Sequence, residues 1–237
     1  MKRSTQDDYY RSTEGDDFFD RCKPDVIPPL RDNKTSVLRF VLDSRVEFKS
    51  VLEYGCQYGD LMNHFRTKMG VERCVGVEAS AKAIAFGKEL YGDRIEWYHG
   101  TIADNSLNAA EDQGPFDLVI VEDVFGWISR ETLFASIANI DDMLGEGGYL
   151  FIRDFLPGFR TRNANHHVKN AKIYNHKVPG SHTLIFQQSG MYEIWNQRVF
   201  WELDDRWVRE GRVTREKMFD PRWQDVLLRK SFSDYFR

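Results

Sequence analysis

Short continuous apolar runs alternate along this chain with segments whose apolar positions recur every three or four residues, the pattern of buried strands joined by amphipathic helices. Val37, Leu38, Val41, Leu42 and Val46 share one helical face between Asn33 and Val46, directly ahead of the apolar run Val51–Tyr54. Leu61 to Met69 predicts the next helix and Arg73 to Glu78 the second strand; Ser80 is placed to cap a helix over Ala81–Tyr91, and Ile95–His99 reads as a third strand. Phe116–Glu122 is apolar almost throughout, as a central parallel strand covered on both faces must be. Leu133, Phe134, Ile137, Ile140 and Leu144 stripe a helix over Arg130–Leu144, and Gly147-Gly148 turns the chain into a strand over Tyr149–Arg153.

Five strands joined by helices with right-handed crossovers give an α/β fold: a doubly wound, Rossmann-like, mainly parallel sheet with its ligand site at the carboxyl ends of the strands. Two alternating segments, Tyr192 to Leu203 and Gln224 to Ser231, add an antiparallel C-terminal edge pair and bring the sheet to seven strands. Leu156 to Lys177 shows no sustained periodicity and reads as an irregular, functional segment, followed by a short helix over Ser181–Ser189. Residues 1–32 are polar and charged and contain the breaker run Pro24 to Pro29, which predicts an N-terminal arm or lid ahead of a domain over 33–237, with 155–190 as an acceptor-site insertion.

A chain of 237 residues, 41% hydrophobic and 14% aromatic, is enough for one sizeable core. Its net charge of −4 gives no basic field for a phosphate backbone, so nucleic acid is not an expected partner. Cys22, Cys56 and Cys74 lack metal-ligand spacing and fit reduced thiols in a cytoplasm. No run approaches the roughly twenty apolar residues of a membrane span, and no metal is expected. Exposed aromatic residues near the C-terminus leave packing in cis or across a homodimer open.

The chemistry is concentrated at the turn Glu53-Tyr54-Gly55-Cys56-Gln57-Tyr58-Gly59. A dinucleotide fingerprint, Gly-x-Gly-x-x-Gly, is absent, and Glu53 at the strand end would repel a pyrophosphate but suits an ammonium. Glu78 ends the second strand as a carboxylate able to accept both hydroxyls of a ribose.

This arrangement resembles the first motif of class I S-adenosylmethionine-dependent methyltransferases, with Gln57 where a third glycine commonly stands. Four further segments match in order and spacing, and the resemblance covers roughly residues 35 to 155. It implies S-adenosyl-L-methionine as cofactor, with Glu53, Gly55, Cys56, Gln57 and Gly59 at its aminoacid end and Glu78, Ala79 and Ser80 at its ribose. Gly100, Thr101 and Ile102 would flank adenine, Thr101 standing where relatives often place an Asp, and Glu122, Asp123 and Val124 would lie under the methionine part. The flanking segments resemble a bacterial subgroup of small-molecule methyltransferases associated with surface polysaccharides and modified sugars. The implied acceptor is a hydroxyl of a sugar, sugar nucleotide, glycan or related small metabolite.

A hydroxyl must lose its proton as the new bond forms, so an imidazole or carboxylate is expected nearby. His166 or His167 is the candidate base, with Asp154 orienting or replacing it; all three also read as loop residues or a turn cap. Tyr9, Tyr10, Arg160, Arg162 and Lys177 are candidate substrate contacts, the three cations for an anionic part of the acceptor. An amine acceptor, a cofactor-binding partner subunit without catalysis, and a dehydrogenase are the alternatives, the last disfavoured by Glu53 and the missing middle glycine.

Overall fold

A computed structural model describes residues 5–27, 29–104, 107, 114–165, 167–168, 173–201 and 222–231. Its centre is a seven-stranded sheet. In chain order the strands are β1 (Ser50–Tyr54), β2 (Arg73–Glu78), β3 (Glu96–His99), β4 (Phe116–Glu122) and β5 (Leu144–Phe155), with β8 (Tyr192–Trp201) and β9 (Arg222–Lys230) at the far edge. Their order is β3-β2-β1-β4-β5-β9-β8. The first five run parallel, β9 is antiparallel to β5, and β8 is antiparallel to β9. The strand order reverses direction of growth between β1 and β4, which opens a crevice at their carboxyl ends.

The pleat assigns each strand residue to one of two cores. Val51, Leu118, Ile120, Phe151 and Leu227 pack with Val37, Leu38, Phe40 and Val41 of helix α3 (Asp32–Asp43) and with Leu61 and Met62 of α4 (Asp60–His64). Leu52, Val119, Val121, Leu150, Ile152 and Val226 face the other way, onto Ile140 and Met143 of α6 (Leu133–Met143) and Phe186 of α7 (Thr183–Gln188). α5 (Ala81–Tyr91) follows β2 and is capped by the Ser80 hydroxyl, which accepts from Ala83 N at 3.0 Å.

Two segments take forms that the apolar pattern does not specify. Within the irregular stretch, Thr161–Ala164 (β6) and Tyr174–Lys177 (β7) form a separate antiparallel two-stranded sheet, although neither strand alternates polar and apolar positions, because little of it is buried. The N-terminal segment is helical: α1 (Gln6–Tyr9), a wide turn over Tyr10–Glu14 and α2 (Gly15–Cys22) follow one another without a break. That helix lies across the carboxyl edge of the sheet. Asp7 accepts from Ser129 N at 2.9 Å and from the Thr132 hydroxyl, Gln6 exchanges hydrogen bonds with the backbone of Tyr174, and Asp16 accepts from Ser80 Oγ and Lys82 N. At Gly15 the backbones are so close that a Cβ would meet Ala79 C and Ser80 N at 3.0 Å. Among the described residues no helix is long and apolar enough to cross a membrane.

Candidate active site

Between that helix and the strand ends lies a cavity of about 530 Å³. Gly55, Gln57, Glu78, Ala79, Gly100, Thr101, Ile102, Glu122, Asp123 and Val124, all expected around the cofactor, line it. So do residues that the sequence reading did not propose for the site: Glu14, Lys34 and Arg153 among them.

The turn after β1 is built from three left-handed residues, Gly55 (φ +75°), Gln57 (φ +51°) and Gly59 (φ +76°). Gln57 therefore occupies, with a side chain, the conformation a third glycine would hold without strain. Its cost is offset locally, because its N–H donates to Glu78 Oε2 at 2.8 Å and its side-chain carbonyl accepts from Arg31. Gly55 has a packing reason: a Cβ there would meet Val124 Cγ2 at 2.7 Å. Gly59 turns away from the cavity and lets Trp97 and Ile95 pack on the start of α4, and Cys56 is fully buried against Gly76. Neither Gly59 nor Cys56 lines the cavity, so their part in the site is to shape the turn.

Glu78 is 8% exposed at the cavity wall. Oε2 takes the backbone N–H of Gln57 and Oε1 that of Ser80, both at 2.8 Å, which fixes the carboxylate. Burial pushes its pKa above the usual carboxylate range, and the N–H groups of Ser80, Gln57 and Ala79 oppose that rise. Ser80 itself is spent on capping α5 and on Asp16. Thr101 donates both its N–H and its hydroxyl to Asp104, at 2.9 and 3.2 Å, so its side chain closes a turn.

Glu53 corrects the sequence reading. The pleat puts it, Glu122, Arg153 and Asp225 on the α3 face, where Lys34 enters from the first turn of that helix. Glu53 is fully buried, does not line the cavity, and the ammonium it meets is Lys34. Lys34 also pairs with Glu122 Oε2 at 2.5 Å; Glu122 Oε1 accepts from Arg153 Nη1 at 2.9 Å; Arg153 grips Asp225 through Nε and Nη2 at 2.7 and 2.9 Å. Arg31 holds the buried Asp60 at 2.5 and 2.8 Å. Burial raises the Glu53 carboxyl, with Lys34 opposing; for Glu122 burial is outweighed by Lys34 and Arg153, and its pKa falls.

Of the expected base residues, Asp154 lies off the cavity. The pleat sends Asp154 to the face opposite Arg153, where its Oδ2 binds His182 Nδ1 at 2.7 Å and its Oδ1 accepts from Phe155 N. His182 stacks on Phe125, and neither Asp154 nor His182 lines the cavity. His167 does line it, with its N–H on Asn165 Oδ1 at 2.9 Å; His166 lies outside the described residues. Tyr10 reaches the cavity and meets Trp127 edge to face at 6.2 Å, whereas Tyr9 does not reach it. Arg160, Arg162 and Lys177 are also off the cavity: the Arg162 guanidinium covers the Tyr174 ring at 4.1 Å and Lys177 Nζ the Phe155 ring at 3.2 Å. Among the described residues no three His, Cys, Asp or Glu side chains converge as a metal centre would require.

The family model described as "Methyltransferase domain" matches residues 30–198. Among curated proteins, an uncharacterized protein of Rickettsia prowazekii (strain Madrid E) is 26% identical over 119 residues, 50% of this chain and 48% of its own, so the chain spans about half the length of that relative. Among solved structures, N-methyltransferase NodS from Bradyrhizobium japonicum WM9, in complex with S-adenosyl-L-homocysteine, superposes with a TM-score of 0.58 at 15% identity, covering 96% of this chain and 99% of NodS. The 1,6-didemethyltoxoflavin-N1-methyltransferase of Burkholderia thailandensis gives 0.58 at 14%, covering 85% and 78%. Glycopeptide N-methyltransferase MtfA, complexed with S-adenosyl-L-homocysteine, gives 0.57 at 12%, covering 93% and 98%. At these identities the likeness is one of fold.

Proposed function

The chain belongs to the methyltransferase-domain family, and from that premise we propose that it uses S-adenosyl-L-methionine to methylate a small molecule. The observation that carries the reading is Glu78, a carboxylate fixed on the cavity wall by turn N–H groups and placed there to accept from the ribose hydroxyls. When bound, the cofactor supplies a methyl group made electrophilic by a sulfonium. The chain's own residues hold and align. Glu78 orients the ribose, the turn Gly100–Ala103 flanks the base, and Lys34 and Glu122 offer the zwitterionic end one cation and one anion side by side. Lys34 spends two of its three N–H donors on Glu53 and Glu122, so the third serves the cofactor's carboxylate. The N-terminal helix closes the cavity and excludes water, and Asn165 and His167 from the 155–190 insertion complete the acceptor end.

For the acceptor, a sugar or metabolite hydroxyl is supported by His167 on the cavity wall as its proton acceptor. A nitrogen acceptor is supported by the carboxylates of Glu14 and Asp123 on the same cavity, and it needs alignment rather than a strong base. We favour nitrogen, because Asp154, the partner the histidine loop would need, is bound to His182 on the other face of the sheet. Titration calorimetry tests the cofactor assignment: one site for S-adenosylhomocysteine and none for NAD is expected, and heat from the dinucleotide alone would overturn it.

A further inference from the structure

Glu14 projects from the N-terminal helix into the cavity, yet its side chain is only 2% exposed. Oε1 accepts from Arg21 Nη2 at 2.6 Å and from Asn165 Nδ2 at 3.1 Å. Oε2 is buried and has no hydrogen-bond partner. A buried carboxylate oxygen left without a donor forfeits its hydration with nothing in return. The Glu14 carboxylate is therefore half satisfied by the chain and half open.

The donors of the cofactor are met elsewhere, on the floor: the ribose at Glu78 and the ammonium at Glu122, both on strand ends. Glu14 is on the roof, beside Tyr10, whose hydroxyl pKa is raised by burial and then by Glu14 itself. We propose that Glu14 Oε2 receives an N–H of the acceptor, so that the substrate class is an amine whose nitrogen is held under the roof by Glu14 and Asn165. This rests on the methyltransferase reading given above.

The chemistry selects nitrogen over oxygen. A carboxylate is far too weak a base to retain the proton of an alkyl hydroxyl, whereas a neutral amine reacts without giving one up. Its lone pair forms the N–CH₃ bond as the carbon–sulfur bond breaks and leaves its electron pair on sulfur. The positive charge of the sulfonium thereby passes to nitrogen, next to Glu14, whose negative charge is most useful when that charge arrives.

Sinefungin, in which a carbon bearing a primary amine replaces the sulfonium, places an ammonium at the transfer position and needs no knowledge of the acceptor. Calorimetry on the full chain should show sinefungin binding about tenfold more tightly than S-adenosylhomocysteine, equivalent to about 1.4 kcal/mol. Glu14→Gln should erase that preference while leaving the S-adenosylhomocysteine affinity within about twofold. Should Glu14→Gln lose both ligands, Glu14→Asp decides, since it keeps the charge but withdraws it: retained S-adenosylhomocysteine binding with the preference gone supports the assignment. A preference that survives in the variants, or its absence from the wild type, overturns it. Failure of the wild type to bind S-adenosylhomocysteine defeats the cofactor assignment instead.

Discussion

The floor and the roof of the cavity solve opposite electrostatic problems. On the floor, four cations (Arg31, Lys34, Arg153 and Arg198) face four carboxylates (Asp60, Glu53, Glu122 and Asp225), nearly all of them buried and paired. The roof is a single helical segment tethered at its ends by polar contacts, and the carboxylate in its middle keeps an unpartnered oxygen. The floor carboxylates share their cations with one another, although Glu53 Oε2 is left without a donor, whereas Glu14 turns its unpartnered oxygen toward the cavity from a helix. The floor is thus the more densely cross-linked half of the site and the roof the half that presents an open acceptor to what enters.

Removing one partner from the floor should have the largest effect on stability. Lys34→Met leaves Glu53 and Glu122 buried with their shared cation gone, and should cost about 3–5 kcal/mol in denaturant unfolding. A loss under about 1 kcal/mol would mean that the network contributes little. Glu78→Ala sharpens the contrast from the ligand side: S-adenosylhomocysteine affinity should fall by about ten- to a hundredfold, the worth of one to two charge-assisted hydrogen bonds.

Gly15→Val tests the roof. Its Cβ would meet the Ala79 and Ser80 backbone at 3.0 Å and Tyr10 O at 2.8 Å, and its two methyl groups add to that crowding, so the helix is expected to shift away from the strand end. Ligand affinity should fall about tenfold and amide exchange in residues 6–22 should speed up, while the melting temperature drops less than in Lys34→Met. Asp16→Asn removes only the charge of a half-buried tether at the start of α5 and should cost about 0.5 kcal/mol in thermal unfolding.

Acid adds a test that leaves the sequence unaltered. The raised Glu78 pKa means that this carboxyl protonates at a higher pH than an ordinary glutamate. Protonation removes acceptor capacity, so S-adenosylhomocysteine affinity should be full above the folded pKa and fall as pH drops through it, before ordinary glutamates near about 4.3 titrate. In Glu78→Gln that pH dependence should vanish.

The same contrast explains what the sequence revealed. β4 was legible to its last residue because, apart from the exposed Asp117 and the terminal Glu122, Phe116–Glu122 is apolar and buried on both faces. β5 begins at Leu144, five positions ahead of the expected Tyr149, because Gly145, Gly147 and Gly148 enter a strand that composition alone assigns to a turn. Glu78 could be read from its place at the end of β2. Lys34 could not: a lysine on the first turn of an amphipathic helix looks solvated, and only the pleat parity of Glu53 and Glu122 brings their carboxylates to it. Asp154 stands at the end of β5 but off the cavity, and its partner His182 is distant in sequence and comes to it through the fold of the 155–190 segment. Glu14 was hidden in a segment whose polarity read as an arm, since its burial depends on a helix docking across the strand ends.

Hydrogen exchange with and without S-adenosylhomocysteine tests the central claim, that one cofactor is held between this floor and this roof. Protection should rise together in residues 55–59 and 78–80 of the floor and in residues 6–22 of the roof. Protection confined to other segments, or none at all at saturating ligand, would contradict it.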